Sequence, residues 1–219
     1  MSANDIVSAA LVFAGLVVST VALIINRAVD KRAVRNALKD LAVKVNKQAA
    51  KYQIRDGNHS EQLRLSLEIQ VLIRQADYLM GRLHSEFSEP VAVTLAEALE
   101  LIQEYWWADI YWNKATNTKD CYIQAKMYSY WGMALLGRGE SKHSGEMIEK
   151  AVKTVSPQSP DDYIVSGDIY RTMAKWDHPR MDSWLTKAQT EYQHVPVGDH
   201  RREMYMRFIT DARAGASAT

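Results

Sequence analysis

Glu97, Glu100 and Glu104 recur at intervals of three and four residues, which on a helix places three carboxylates on one face. Carboxylates so arranged could hold a metal ion or divide acid and base roles between them. A stripe of this kind is far more often the solvated side of a helix, and that is the expectation. The six His include no pair at i and i+4, and Cys121 stands alone, so neither a helical zinc pair nor a thiolate set is spelled out. The phosphate-cradling GxxxxGK[ST], the dinucleotide-binding GxGxxG and the nucleophile-bearing GxSxG do not occur. The sequence therefore predicts no catalytic residue, no metal and no cofactor.

Two Arg–His spacings remain. Arg138 to His143 reads R-x4-H and Arg171 to His178 reads R-x6-H, and these resemble the catalytic motif of all-helical HEPN ribonucleases. With 14 Arg and six His in the chain, roughly one such match arises by chance, so two carry little weight. Arg138 lies between Gly137 and Gly139, where a solvated turn residue is expected. A membrane-tethered ribonuclease follows as the alternative to a non-enzymatic protein.

The elements that would position these side chains are helical. Ten Gly and five Pro among 219 residues, with abundant Ala, Leu, Glu, Lys, Arg and Met, point to an all-α chain. Ile6 to Ile25 is an uncharged run of the length a transmembrane helix needs, with no basic residue before it. A signal peptide would carry a basic leading region and a shorter apolar core. The expectation is an uncleaved single-pass anchor over residues 1–26, N-terminus outside and body cytoplasmic, because every Lys and Arg follows the apolar run. Small residues Ala10, Ala14, Gly15 and Ser19 at helical spacing leave room for self-association in the bilayer, a possible homo-oligomer. A single Cys fits a reducing compartment, and the sequon at Asn58 would be idle there.

Residues 27–55 carry nine basic residues against Asp30 and Asp40, a balance of +7, whereas the chain from Asp56 onward stands at −5. Arg27, Lys31, Arg32 and Arg35 are placed to meet lipid head groups of the membrane bilayer. Val34, Leu38, Leu41 and Val45 form an apolar seam that suits either a short coiled coil or docking on the body. The acidic body, and basic residues that are not interleaved with exposed aromatics, argue against nucleic acid as a partner.

Residues 56–219 read as one helical domain. Asn58 with Glu61 has capping-box spacing, and Leu65, Ile69, Leu72, Ala76, Leu79, Leu83 and Phe87 give a helical face, despite the strand-like alternation from Leu63 to Val71. Ser88-Glu89-Pro90 opens a helix expected to run unbroken to between Asn113 and Thr118. Tyr105, Trp106, Trp107, Tyr111 and Trp112 crowd its end and cannot all face one way, so some are expected in a core and some at a protein partner. Asp161 and Asp162 are expected to help start a helix.

Two later stretches echo each other. Gly132, Leu135, Gly139, Ile148, Ala151 and Pro157 mark a helix-turn-helix, and Gly167, Tyr170, Ala174, Leu185, Ala188 and Pro196 a second, with Gly132 and Gly167 35 residues apart. Over Lys126 to Pro157, and more loosely over Asp161 to Pro196, the chain resembles the tetratricopeptide-repeat family. The resemblance implies a right-handed array of antiparallel helix pairs, with the helices between Ser60 and Asn113 either a divergent repeat or unrelated, and Arg201 to Asp211 a capping helix. It further implies a groove at Ser129, Met133, Leu136, Ile164, Asp168 and Arg171 that receives a protein segment, although the family's Lys, Asn and Arg clamp for a C-terminal carboxylate is absent. Together with Trp106, Trp107, Tyr111 and Trp112 these are the expected protein-binding residues. The expected function is a membrane-anchored adaptor for cytoplasmic or membrane proteins, with a structural subunit of a larger membrane assembly as a further alternative.

Overall fold

A computed structural model describes residues 30–54, 59–81, 83 and 89–216, and among these it is all-α, without strands. Among the described residues no helix is long and apolar enough to cross a membrane. The apolar run from Ile6 to Ile25, the contact expected of Arg27 and the sequon at Asn58 lie outside them.

The chain divides into two units, one ending at Phe87 and the other beginning at Ser88. In the first unit α1 (30–54) buries Val34, Leu38, Leu41 and Val45, the seam spaced at four, three and four residues. Helix α2 (His59–Gly81) buries Leu65, Ile69, Ile73, Ala76 and Met80, so the 3.6-residue period prevails over the Leu63 to Val71 alternation. Gln48 Nε2 of α1 donates to Glu68 Oε2 of α2 at 2.9 Å. Leu63, Leu67, Val71 and Tyr78 take the opposite, exposed side of α2.

The second unit is a run of helix hairpins: α3 (Glu89–Leu101) with α4 (Tyr105–Ala115), α5 (Cys121–Gly137) with α6 (Ser141–Val155), and α7 (Pro160–Trp176) with α8 (Met181–Gln193), followed by α9 (His200–Ala216). Each hairpin packs chiefly within itself and then on the one beside it, through α4 on α5, α6 on α7 and α8 on α9. First helices also meet in order, α3 with α5 and α5 with α7.

The single helix expected from Glu89 to beyond Trp112 is in fact two. Gln103 adopts a left-handed backbone (φ 61°), and the end of α3 is closed by Gln103 N–H to Glu100 O at 3.0 Å and Glu104 N–H to Leu99 O at 2.9 Å. This is the Schellman arrangement, which satisfies the last carbonyls and turns the chain. The same pair of bonds closes α5, from Gly139 (φ 84°) to Leu136 O and from Glu140 to Leu135 O, both at 2.9 Å. The next helix follows from Glu104 and Glu140, whose backbones match (φ −85°, ψ 59° and φ −86°, ψ 57°). The two hairpins therefore repeat at 36 residues. Ala96 and Gly132, Ala108 and Ser144, and Ala115 and Ala151 are equivalent buried small residues, where the paired helices come close.

Local sequence explains the other boundaries. Asp120 caps α5 by accepting from the N–H groups of Tyr122 and Ile123. Ser159 and Asp162 form a reciprocal capping box at α7 with Pro160 in its first turn, the role expected of the acidic pair for Asp162. The third hairpin turns differently, through a 3-10 turn at His178–Arg180. Its core joins Ile148 and Val152 of α6 to Tyr170 and Met173 of α7, Trp184, Leu185 and Tyr192 of α8, and Ile209 of α9.

Candidate interaction surface

The residues expected to line a groove are largely engaged within the chain. Ser129 Oγ donates to Ala125 O of its own helix, and Met133 and Leu136 pack against the core formed by α6, α7 and α8. Ile164 is buried. Asp168 accepts from Arg171 Nε at 3.0 Å and from the Tyr192 hydroxyl at 2.8 Å, while the Arg171 guanidinium lies over the Phe208 ring. Burial pushes the Tyr192 hydroxyl well above the ordinary tyrosine range, helped by the charge of Asp168. Asp168 and Arg171 thus tie α7 to α8 and α9.

The aromatic cluster divides as its angular spread requires. Tyr111 and Trp112 are buried in the second unit and Trp107 is half-buried, whereas Trp106 is 79% exposed with Ile110 one turn along on the same side. Trp112 Nε1 donates to Glu100 Oε1 at 2.9 Å.

Glu97 and Glu104 are exposed, as expected of a solvated carboxylate stripe, but Glu100 is not, and neither is Arg138 the solvated turn residue expected. The Arg138 side chain is only 4% exposed; Nε donates to Glu100 Oε2 at 2.8 Å and Nη2 bonds both Glu100 Oε1 and Asp109, the latter at 2.9 Å. Its guanidinium lies over the Tyr105 ring, 4.7 Å from the centroid, and Asp109 accepts from Trp131 Nε1 at 3.1 Å. Arg138 follows α5, Glu100 ends α3 and Asp109 sits on α4, so this cluster joins successive hairpins. The two glycines leave room for the turn, and the arginine folds back from it instead of reaching into water.

His143, the partner of Arg138 in the R-x4-H spacing, is exposed with Nδ1 3.0 Å from Glu140 Oε2. His178 is exposed in the 3-10 turn, and Arg171 is held by Asp168. Both arginines of the spacing motif therefore bond carboxylates of their own chain. Lys31, Arg32 and Arg35 lie on α1, where Arg32 and Arg35 are exposed and Lys31 is half-buried. Cys121 is exposed at the start of α5. Among the described residues no group of three or more His, Cys, Asp or Glu could hold a metal ion.

A feature not anticipated from the sequence is a cleft of about 660 Å³ between the second helices α6 and α8. Trp184 lies at its base, 4% exposed, with Nε1 donating to Asp177 Oδ2 at 2.8 Å. Arg180 and Lys187 both cover the Trp184 ring, at 5.2 and 4.8 Å from the centroid. Asp177 and the Ser141 carbonyl fix Arg180, and Glu149 holds Lys187. The signal available in the sequence was Lys142, Lys150 and Lys153 on one side of a helix. Comparison with protein-family models, curated sequences and solved structures gives no match.

Proposed function

We propose that this chain is a single-pass membrane protein whose hairpin unit forms a tetratricopeptide-like right-handed array that recruits protein partners on the cytoplasmic side. The observation that carries the reading is the recurrence of one hairpin at 36 residues, with the same Schellman turn and the same buried small positions, continued by a third hairpin and a closing helix. Units that touch only their neighbours make an extended surface, the usual basis of partner recognition by repeat proteins. Trp106 and the α6/α8 cleft supply exposed aromatic and charged features on that surface.

The apolar run Ile6 to Ile25 supports the membrane placement through its length, and the basic residues after it support the orientation. An anchor raises the effective concentration of whatever the body binds, so modest affinity suffices. The engagement of Arg138 and Arg171 by carboxylates favours this reading over a nuclease.

Co-purification in mild detergent tests the proposal, comparing the full chain with one that stops at Phe87. A protein recovered with the full chain alone is the expected result. Identical sets of recovered proteins would contradict it, and RNA cleavage abolished by His143→Ala or His178→Ala would replace it with the nuclease.

A further inference from the structure

We propose that the α6/α8 cleft is the docking site for an acidic peptide segment of a partner protein; this rests on the adaptor reading and names the chemistry of what is recruited. From Ser88 onward the chain carries 15 basic and 18 acidic residues, yet five cations converge here: Lys142, Lys150, Lys153, Arg180 and Lys187. Glu146, Glu149 and the buried Asp177 offset three of them, leaving the cleft at +2 and the rest of the unit at −5. It is a positive concavity on an acidic body.

The five cations are not equivalent. Arg180 and Lys187 are fixed over Trp184 by their carboxylate partners, and they make a rigid frame around an aromatic base. Lys142, Lys150 and Lys153 are exposed and form no ion pair among the described residues. Three flexible ammonium groups can each donate to a carboxylate, while the lysine stems offer apolar contact around the frame that Arg180, Lys187 and the buried Trp184 hold in place. Gly145 keeps the space open: a Cβ there would lie 3.6 Å from Arg180 Nη1 and 3.9 Å from the Trp184 ring, so a larger side chain would fill the cleft.

Glu146 and Glu149 decide between classes of anion. A nucleic acid presents phosphates at every step and would bring some against these carboxylates. A bilayer is broad and cannot enter a cleft of this size. A peptide spaces its carboxylates with backbone N–H groups between them, which can face the two glutamates while acidic side chains meet the lysines.

The test uses the full-length chain in neutral detergent and a fluorescent hexaglutamate peptide, with a single-stranded RNA oligomer and phosphatidylserine-doped micelles as competing probes. The combined variant Lys142→Glu, Lys150→Glu, Lys153→Glu leaves the basic segment 27–55 intact and is expected to weaken peptide binding about tenfold or more. Gly145→Trp, which fills the cleft without altering charge, is expected to weaken it as well. Peptide binding untouched by both variants would overturn the proposal, as would RNA or lipid binding that the triple variant abolishes while peptide binding survives. Loss of the peptide site with continued co-purification of a partner would place that partner elsewhere on the unit; absence of any partner with an intact peptide site would instead remove the adaptor reading.

Discussion

Gln103 and Gly139, 36 residues apart, occupy the same left-handed position and donate the same hydrogen bond to the carbonyl three residues earlier. Only one of them is a glycine. A side chain in this conformation costs roughly 1 kcal/mol relative to Gly. Gln103→Gly is therefore expected to stabilise the chain by about 1 kcal/mol, read as a higher urea midpoint at unchanged slope. Gly139→Gln should lower the midpoint. A destabilising Gln103→Gly would mean that the two turns are not equivalent.

The same equivalence sets Ser144 against Ala108. Both are fully buried, and the Ser144 hydroxyl has no hydrogen-bond partner. Removing an unsatisfied buried hydroxyl recovers its desolvation cost, so Ser144→Ala is expected to gain about 1 kcal/mol and Ala108→Ser to lose a similar amount. Thermal unfolding of the two variants decides it: a Ser144→Ala chain that melts below the parent would show that the hydroxyl is satisfied.

Arg138 is the polar link between hairpins. Removing one partner of a buried pair strands the other, at a cost of about 3 to 5 kcal/mol. Arg138→Met should fall in this range, and Arg138→Lys should recover part of the loss because it keeps the charge but not the two-pronged contact with Glu100. Arg138→Met combined with Glu100→Gln is expected to be less damaging than the sum of the single changes, which a double-mutant cycle measures. Additive losses would mean that the pair does not couple the hairpins.

The start of α7 gives the stability a pH dependence. The Tyr122 hydroxyl, then Ser159 and the N–H groups of Gln158 and Ser159, hold the Asp162 carboxyl well below the ordinary range. Bonds from Arg201 likewise bring Asp199 to about 2. Carboxyls depressed on folding contribute stability that is present above about pH 4 and lost as pH falls toward 2 and below. Asp162→Asn should flatten the acid limb of a stability profile. Tyr122, pushed up to about 12 chiefly by its bond to Asp162, contributes in the opposite direction: stability present below pH 10 and lost as pH rises through 12. An alkaline titration followed by tyrosinate absorbance should lose one late-titrating group in the Asp162→Asn variant; an unchanged curve would contradict the pairing.

The helices were legible because their apolar periods are long, and the later boundaries because Gly139, Pro157 and the acidic pair Asp161 and Asp162 mark a turn, a stop and a start. The break at Gln103 was hidden: no Gly or Pro marks it, and an exposed glutamine takes the left-handed position that a glycine would ordinarily signal. The repeat is consequently legible from Lys126 onward, and the sequence leaves the helices between Ser60 and Asn113 open as a divergent repeat or unrelated packing. Glu100 and Arg138 looked like surface residues because their partners lie 38 residues away, beyond any local pattern. The cleft was invisible for the same reason, since Lys142 to Lys153 gain meaning only beside Trp184 and Lys187 from another hairpin.

Docking of protein by the unit from Ser88 onward, as proposed above, is tested most directly by site-specific photo-crosslinking in native membranes. A photoreactive residue at position 106 or 150 of the full chain, both exposed, is compared with one at exposed Lys119 in the α4–α5 connection. A discrete protein adduct from position 106 or 150, with none from 119, is the predicted result. A chain resident in the membrane that yields no adduct from either position, or the same background from all three, would contradict protein docking by this unit.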